Sequence, residues 1–81
     1  MNVHGRLWSV FVVALDLDPE EDVSRLRHRD HPRWDSLGHL ALALAIEEEF
    51  DVELETDQLI GLDSFGTALK ILCDLGVPVT R

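Results

Sequence analysis

The stretch "DSLGHLALALAIEEEF", residues 35–50, decides how the rest of the chain is read. At about 100° per residue, a helix over residues 36–50 sets Leu42, Ile46 and Phe50 on one arc, with His39 and Ala43 beside them. Leu37, Leu40 and Leu44 fall on a second arc, roughly opposite. A helix that served only a core would need a single stripe. Two stripes mean either a central helix wrapped by its neighbours or one face offered to something outside, because exposed apolar patches mark binding sites. The second stripe begins directly after Ser36. A related stretch, "DSFGTAL" at residues 63–69, again sets Asp-Ser before an apolar residue and a glycine, but its helix has no second stripe.

Toward the C-terminus, "EEEFDVELETD" carries seven carboxylates between Glu47 and Asp57. Such a run is by default a solvated face. At the end of a doubly apolar helix it is also a landing site for a basic partner surface. "DVELETD" is strand-like but too short and isolated to build a sheet, and a short helical turn is expected near residues 56–60. A last helix over about 64–75 turns Phe65, Ala68, Leu69, Leu72 and Leu75 inward, and Gly76 followed by Val77-Pro78 stops it.

Toward the N-terminus, a helix over about 5–15 places Leu7, Val10, Phe11, Ala14 and Leu15 on one face. The run from Val10 to Val13 is β-rich, yet nothing else in the chain offers a partner strand. Pro19 ends any continuation. Residues 16–34 then form a long connection, acidic at its start ("DLDPEED") and basic at its end, where "RLRHRDHPR" holds four of the seven Lys and Arg residues. Connections of this length usually serve a purpose, and Val23, Leu26 and Trp34 are the anchors that would pin it. The expected fold is all-α: a small four-helix bundle, three main helices plus a short one, with a long loop between the first and second.

Eighty-one residues make one domain, spanning residues 1–81. The net charge of −9 argues against nucleic acid as a partner and toward basic protein surfaces. "LWSVFVVAL", residues 7–15, has the length of a signal-peptide apolar region. It leads into "DLDPEED" with no small-residue cleavage site and is too short to span a bilayer, so it reads as a core helix and no membrane partner is expected. The single cysteine, Cys73, excludes an internal disulfide, fits the reducing cytoplasm and is expected to pack inside its helix. A monomer is expected.

A serine at a helix start is first of all a cap. Ser64 fits that role, with Asp63 as the other candidate. Ser36 differs: a long loop delivers it, Asp35 precedes it and the double-striped helix follows. A helix N-terminus presents free N–H groups and a partial positive charge that favour a phosphate. A phosphodiester on Ser36 would sit there with its substituent over Leu37, Leu40 and Leu44. Ser36 and His39 suggest a hydrolase triad, but the nucleophile elbow, the oxyanion hole and the chain length for a pocket are lacking. "HRDH", residues 28–31, is half a metal site without a matching ligand pair. "DLDPEED" begins like a calcium loop, but Glu21 stands at the glycine position and Arg27 where the bidentate glutamate is needed. Neither a catalytic nor a metal site is expected.

"DSLGHLALALAIEEEFDVEL" resembles the attachment segment of the acyl carrier protein family, in which the serine of an Asp-Ser-Leu motif carries 4′-phosphopantetheine and precedes a helix ending in Glu-Glu-Glu-Phe. "ALDLDPEEDV" resembles the end of the family's first helix and the start of its long loop, and "SFGTALKIL" its last helix, so the likeness spans roughly residues 6–76. It implies a stand-alone, non-catalytic carrier. Ser36 would receive phosphopantetheine from coenzyme A through a phosphopantetheinyl transferase, with Asp35 and Leu37 as motif neighbours. Leu37, Leu40 and Leu44 would touch partner enzymes, Glu47 and Glu48 would pair with basic residues on them, and Leu42, Ile46 and Phe50 would be core. The arm's thiol would hold an acyl group as a thioester between a loading enzyme and a downstream synthase or transferase.

The chain also departs from that pattern. Relatives serving fatty-acid synthases often carry acidic residues early in this helix, where Gly38 and Ala41 stand here, and Trp34 replaces a frequent glycine or alanine. "WDSLGHL" looks more like carriers of specialised-metabolite pathways, polyketide or related. An aminoacyl or glyceryl cargo is the alternative within the class. Outside it stands an unmodified acidic helical adaptor docking through the same helix.

Overall fold

The β-rich run near the N-terminus folds as a helix, α1, over Val3–Ala14, which buries Val3, Leu7, Val10 and Phe11 along one face. The computed structural model describes residues 3–28 and 30–77. Within them α2 spans Ser36–Phe50, α3 Thr56–Gly61 and α4 Phe65–Asp74, and a single 3₁₀ turn occupies Val23–Arg25. The fold is an all-α bundle of three main helices and a short one. Its most extensive packing is between α1 and α2, while α4 lies against α1 and the 3₁₀ turn. "DVELETD" forms no strand.

Three helices end the same way. Asp16, Asp51 and Gly76 adopt left-handed backbone (φ 51°, 53° and 87°), and the residue after each donates to the carbonyl five positions back: Leu17 to Val12, Val52 to Glu47, Val77 to Leu72. This reversal satisfies carbonyls at the helix end, and aspartate is tolerated where glycine is commonest. Asp16, not Pro19, therefore stops α1; the proline lies beyond a turn already made.

The core gathers Phe11, Leu7, Trp34, Leu42, Ile46, Leu62, Leu72 and Val23, all buried to 2% exposure or less. Phe11 meets the rings of Trp34 and Phe65 edge to face, each at 5.4 Å. Val23, Leu26 and Trp34 do pin the long loop. Each fully buried large apolar side chain is worth roughly 1.5–3 kcal/mol, enough to order its immediate neighbours but not the whole connection. Backbone contacts supply the rest: Arg27 and Ser64 form an isolated antiparallel bridge, and His28 N–H donates to the Asp63 carbonyl at 3.0 Å. The loop is thus tied to the α3–α4 junction.

α4 differs in phase from expectation. It buries Phe65, Ala68, Ile71 and Leu72, leaves Leu69 and Leu75 half-buried, and exposes Cys73. With Ile71 and Leu72 facing in, the helical step of about 100° carries residue 73 off the buried face, so the thiol is not a packing group. No helix among the described residues is long and apolar enough to cross a membrane.

Candidate functional site

Asp35 caps α2. Its backbone is extended, and its carboxylate accepts from the Gly38 N–H at 2.9 Å, satisfying the third free amide of the helix. Ser36 is therefore not the cap but the first helical residue, and it is exposed. Among the described residues no hydrogen bond engages its hydroxyl. With Asp35 holding the third amide, the Ser36 and Leu37 N–H groups are left at the positive end of a 15-residue helix. Ser36 and Asp35 share a depression of about 250 Å³ with His31 and Pro32.

The segment behind the serine is held from both sides. Trp34, two residues earlier, is fully buried. Its indole N–H donates to His39 Nδ1 at 3.0 Å, which leaves the imidazole proton on Nε2, within 2.9 Å of the Leu59 carbonyl in α3. His31 Nδ1 likewise accepts from the Arg33 N–H at 3.0 Å, and its Nε2 donates to Glu21 at 2.6 Å, joining the acidic start of the loop to its basic end. Gly38 completes the fit. A Cβ there would collide with the Arg33 carbonyl and come within 3.1 Å of Leu15 Cδ2. The loop crosses so close to α2 that no side chain fits, which explains why an acidic residue is absent at this position.

The two stripes of α2 separate cleanly. Leu42, Ala43 and Ile46 are buried and Phe50 is partly buried, whereas Leu37, Leu40 and Leu44 are 79%, 53% and 52% exposed. The three glutamates that follow have three different settings. Glu47 is half-buried and its Oε2 accepts from the Leu54 N–H at 2.8 Å, holding the turn after α2. Glu49 pairs with Arg6 (2.8 Å), whose guanidinium also lies 4.7 Å from the Phe50 ring centroid. Glu48 is exposed and borders a groove of about 450 Å³ that it shares with Leu44, Glu47, Asp51 and Glu53.

His39 has both ring nitrogens committed, so no Ser–His dyad forms with Ser36. Among the described residues no three His, Cys, Asp or Glu side chains gather as a metal site. The roles of His31 and His39 had no sequence signal, since they depend on contacts reaching 10 and 20 residues along the chain. Two further exposed apolar residues, Val13 (79%) and Ile60 (73%), were likewise hidden inside apolar runs.

Fold and site together define a small acidic helical domain that holds one serine out at a helix start, beside an exposed apolar face. The chain is similar to the acyl carrier protein of Caulobacter vibrioides, at 32% identity over 69 residues that cover 85% of this chain and 88% of that one. It is 33% identical over 71 residues to the acyl carrier protein of Phenylobacterium zucineum, covering 88% and 90% of the two chains. It is 32% identical over 63 residues to that of a Sulfurovum species, covering 78% and 84%. Neither a family model nor a solved structure matches it. The chain belongs to the acyl carrier protein family.

Proposed function

We propose that the chain is a cytoplasmic carrier in which Ser36 bears 4′-phosphopantetheine and passes an acyl cargo between enzymes, in polyketide or related specialised biosynthesis. The observation that supports this most is the setting of Ser36. Its hydroxyl is exposed, Asp35 has taken over the capping role, and the leucine stripe starts at the next residue. The donors present suit a phosphodiester, because the two uncapped amides and the helix dipole lie at its point of attachment. When bound, phosphopantetheine supplies a flexible arm with a terminal thiol, the point of thioester attachment. Attachment breaks the Ser36 O–H bond and the pyrophosphate P–O bond of coenzyme A, forms one O–P bond between Ser36 and phosphopantetheine, and releases adenosine 3′,5′-bisphosphate. The proton passes to a base on the phosphopantetheinyl transferase, since His39 is engaged on both sides.

Leu37, Leu40 and Leu44 form the apolar part of the partner surface, with Glu48 as its free carboxylate. Glu47 contributes through the oxygen that the Leu54 amide does not use. Weak, mostly electrostatic docking at such a surface suits rapid exchange between partners. Gly38 and Ala41 leave the start of α2 without acidic side chains, which favours partners other than fatty-acid synthases.

The test is an intact mass after incubation with coenzyme A, magnesium and a broad-specificity phosphopantetheinyl transferase. One phosphopantetheine should be gained by the wild type and by Ser64→Ala, and none by Ser36→Ala. No gain by the folded wild type with an active transferase would favour the unmodified adaptor.

A further inference from the structure

One imidazole joins three parts of the molecule at the attachment end. His39 sits on α2, accepts the Trp34 indole N–H from the loop and donates to the Leu59 carbonyl of α3. His28, also from the loop, stacks on the ring with centroids 4.0 Å apart and planes 16° from parallel. The geometry works for the neutral ring alone. A proton on Nδ1 would face the indole N–H donor across 3.0 Å, and the charged ring would lie on a second titratable imidazole.

We propose that His39 is a positioning residue for the modification of Ser36. In its neutral form it locks Trp34 and α3 onto the start of α2; its protonation frees the segment that presents the serine, so modification slows in acid. The inference rests on the reading of Ser36 as the attachment residue. His28 is the titratable side chain that the loop sets against the ring. α3 offers the Leu59 carbonyl, while its Asp57 lines a different depression with Thr67 and Lys70. On α2 itself, the Asp35 carboxylate is occupied by the Gly38 amide.

Two variants separate a titrating latch from a space-filling ring. The amide oxygen and nitrogen of His39→Gln can accept from Trp34 and donate to Leu59 without titrating. His39→Phe keeps a ring and loses both bonds. Rates of phosphopantetheine addition are measured from about pH 8 to 5, where histidines ordinarily titrate, and each variant is expressed relative to wild type at the same pH. That ratio cancels the transferase's own pH dependence. Near neutral pH, His39→Phe should lose roughly three- to tenfold in kcat/KM, the equivalent of about one hydrogen bond. His39→Gln should overtake the wild type several-fold as the pH falls.

A second readout needs no transferase. In a Trp8→Phe background, Trp34 fluorescence should show one titration step that His39→Gln abolishes. A flat ratio across pH would overturn the proposal, and so would an unchanged fluorescence step in His39→Gln, which would assign the titration to His28. A wild type that is never modified would instead defeat the attachment reading, and the fluorescence would still decide whether His39 is a latch. If His39→Phe does not fold, His39→Gln carries both measurements.

Discussion

Asp35-Ser36-Leu37-Gly38 and Asp63-Ser64-Phe65-Gly66 carry the same pattern one residue out of phase on their helices. In the first the aspartate caps and the serine is the first helical residue, exposed and with its hydroxyl unbonded among the described residues. In the second the serine caps: its Oγ accepts the Thr67 N–H at 3.2 Å, and Thr67 Oγ1 accepts the Ser64 N–H at 2.9 Å in return. Aspartate and serine are about equally good caps, so cap preference cannot set the phase. Burial does. Trp34 enters the core just before the first motif, and Phe65 enters it from within the second, drawing Ser64 inward. The second motif also serves the first, because Asp63 and Ser64 grip the backbone of the loop that carries Ser36.

The largest contrast in stability is expected at the two glycines. Gly38→Ala drives a methyl into the Arg33 carbonyl and against Leu15, and should cost about 1–3 kcal/mol. Gly66→Ala meets nothing nearer than Ser64 Oγ at 3.9 Å and should stabilise by up to about 1 kcal/mol. Urea midpoints at unchanged slope measure both. Opposite signs sharpen the contrast between the motifs; equal signs break it.

The caps come next. Ser64→Ala should cost about 1–2 kcal/mol, because it removes a buried cap and half of a reciprocal pair. Asp35→Ala should cost about 1 kcal/mol, with one bond lost at an exposed site. Thermal melts would rank them. A larger loss at Asp35 would mean that the first motif carries more of the fold than its exposure indicates.

These same residues show what the sequence makes legible. The extent of α2, its two stripes and its serine follow from a period of about 3.6 residues sustained over 15, which needs no tertiary context. Ser64 was legible as a cap, but that Asp35 rather than Ser36 caps α2 was not, since that phase depends on which neighbour enters the core. Nor was the splitting of Glu47, Glu48 and Glu49 into a turn-holding, a free and a paired carboxylate, because Leu54 and Arg6 approach from elsewhere in the chain. Asp16 and Asp51 as left-handed helix ends were hidden too, since aspartate is common in many other settings. Cys73 turned outward because Ile71, not Leu69, is the buried residue in that part of α4.

A third Asp–Ser pair tests a smaller effect. Asp22 caps the 3₁₀ turn, and its Oδ1 accepts the Ser24 hydroxyl at 2.5 Å and the Ser24 N–H at 3.1 Å. The Ser24 hydroxyl holds the Asp22 carboxyl below its ordinary value against the opposing effect of desolvation, with lesser help from the Ser24 amide and Arg25. A depressed folded-state value gives stability that is present above the unfolded value and lost as the pH falls through the depressed one. Ser24→Ala should therefore move the Asp22 titration, followed by NMR, back up toward the ordinary carboxylate range. Because the carboxylate is exposed, stability should barely change. An unmoved titration would show that an Asp–Ser contact at this surface has little electrostatic weight.

Ser36→Ala should change stability least of all, within about 0.5 kcal/mol, as expected for an exposed position with no cap to lose. It should nonetheless remove the whole gain of phosphopantetheine, whereas Ser64→Ala loses stability and keeps it. The double reversal is the strictest test of the phase difference. Were α2 to begin one residue later, Ser36 would be the cap and its oxygen would accept an N–H of the first turn. The same hydroxyl would then have to hold the helix start and carry the substituent. By giving the cap to Asp35, the chain frees Ser36 from any part in folding, so a substituent can be added there without loss of the helix start.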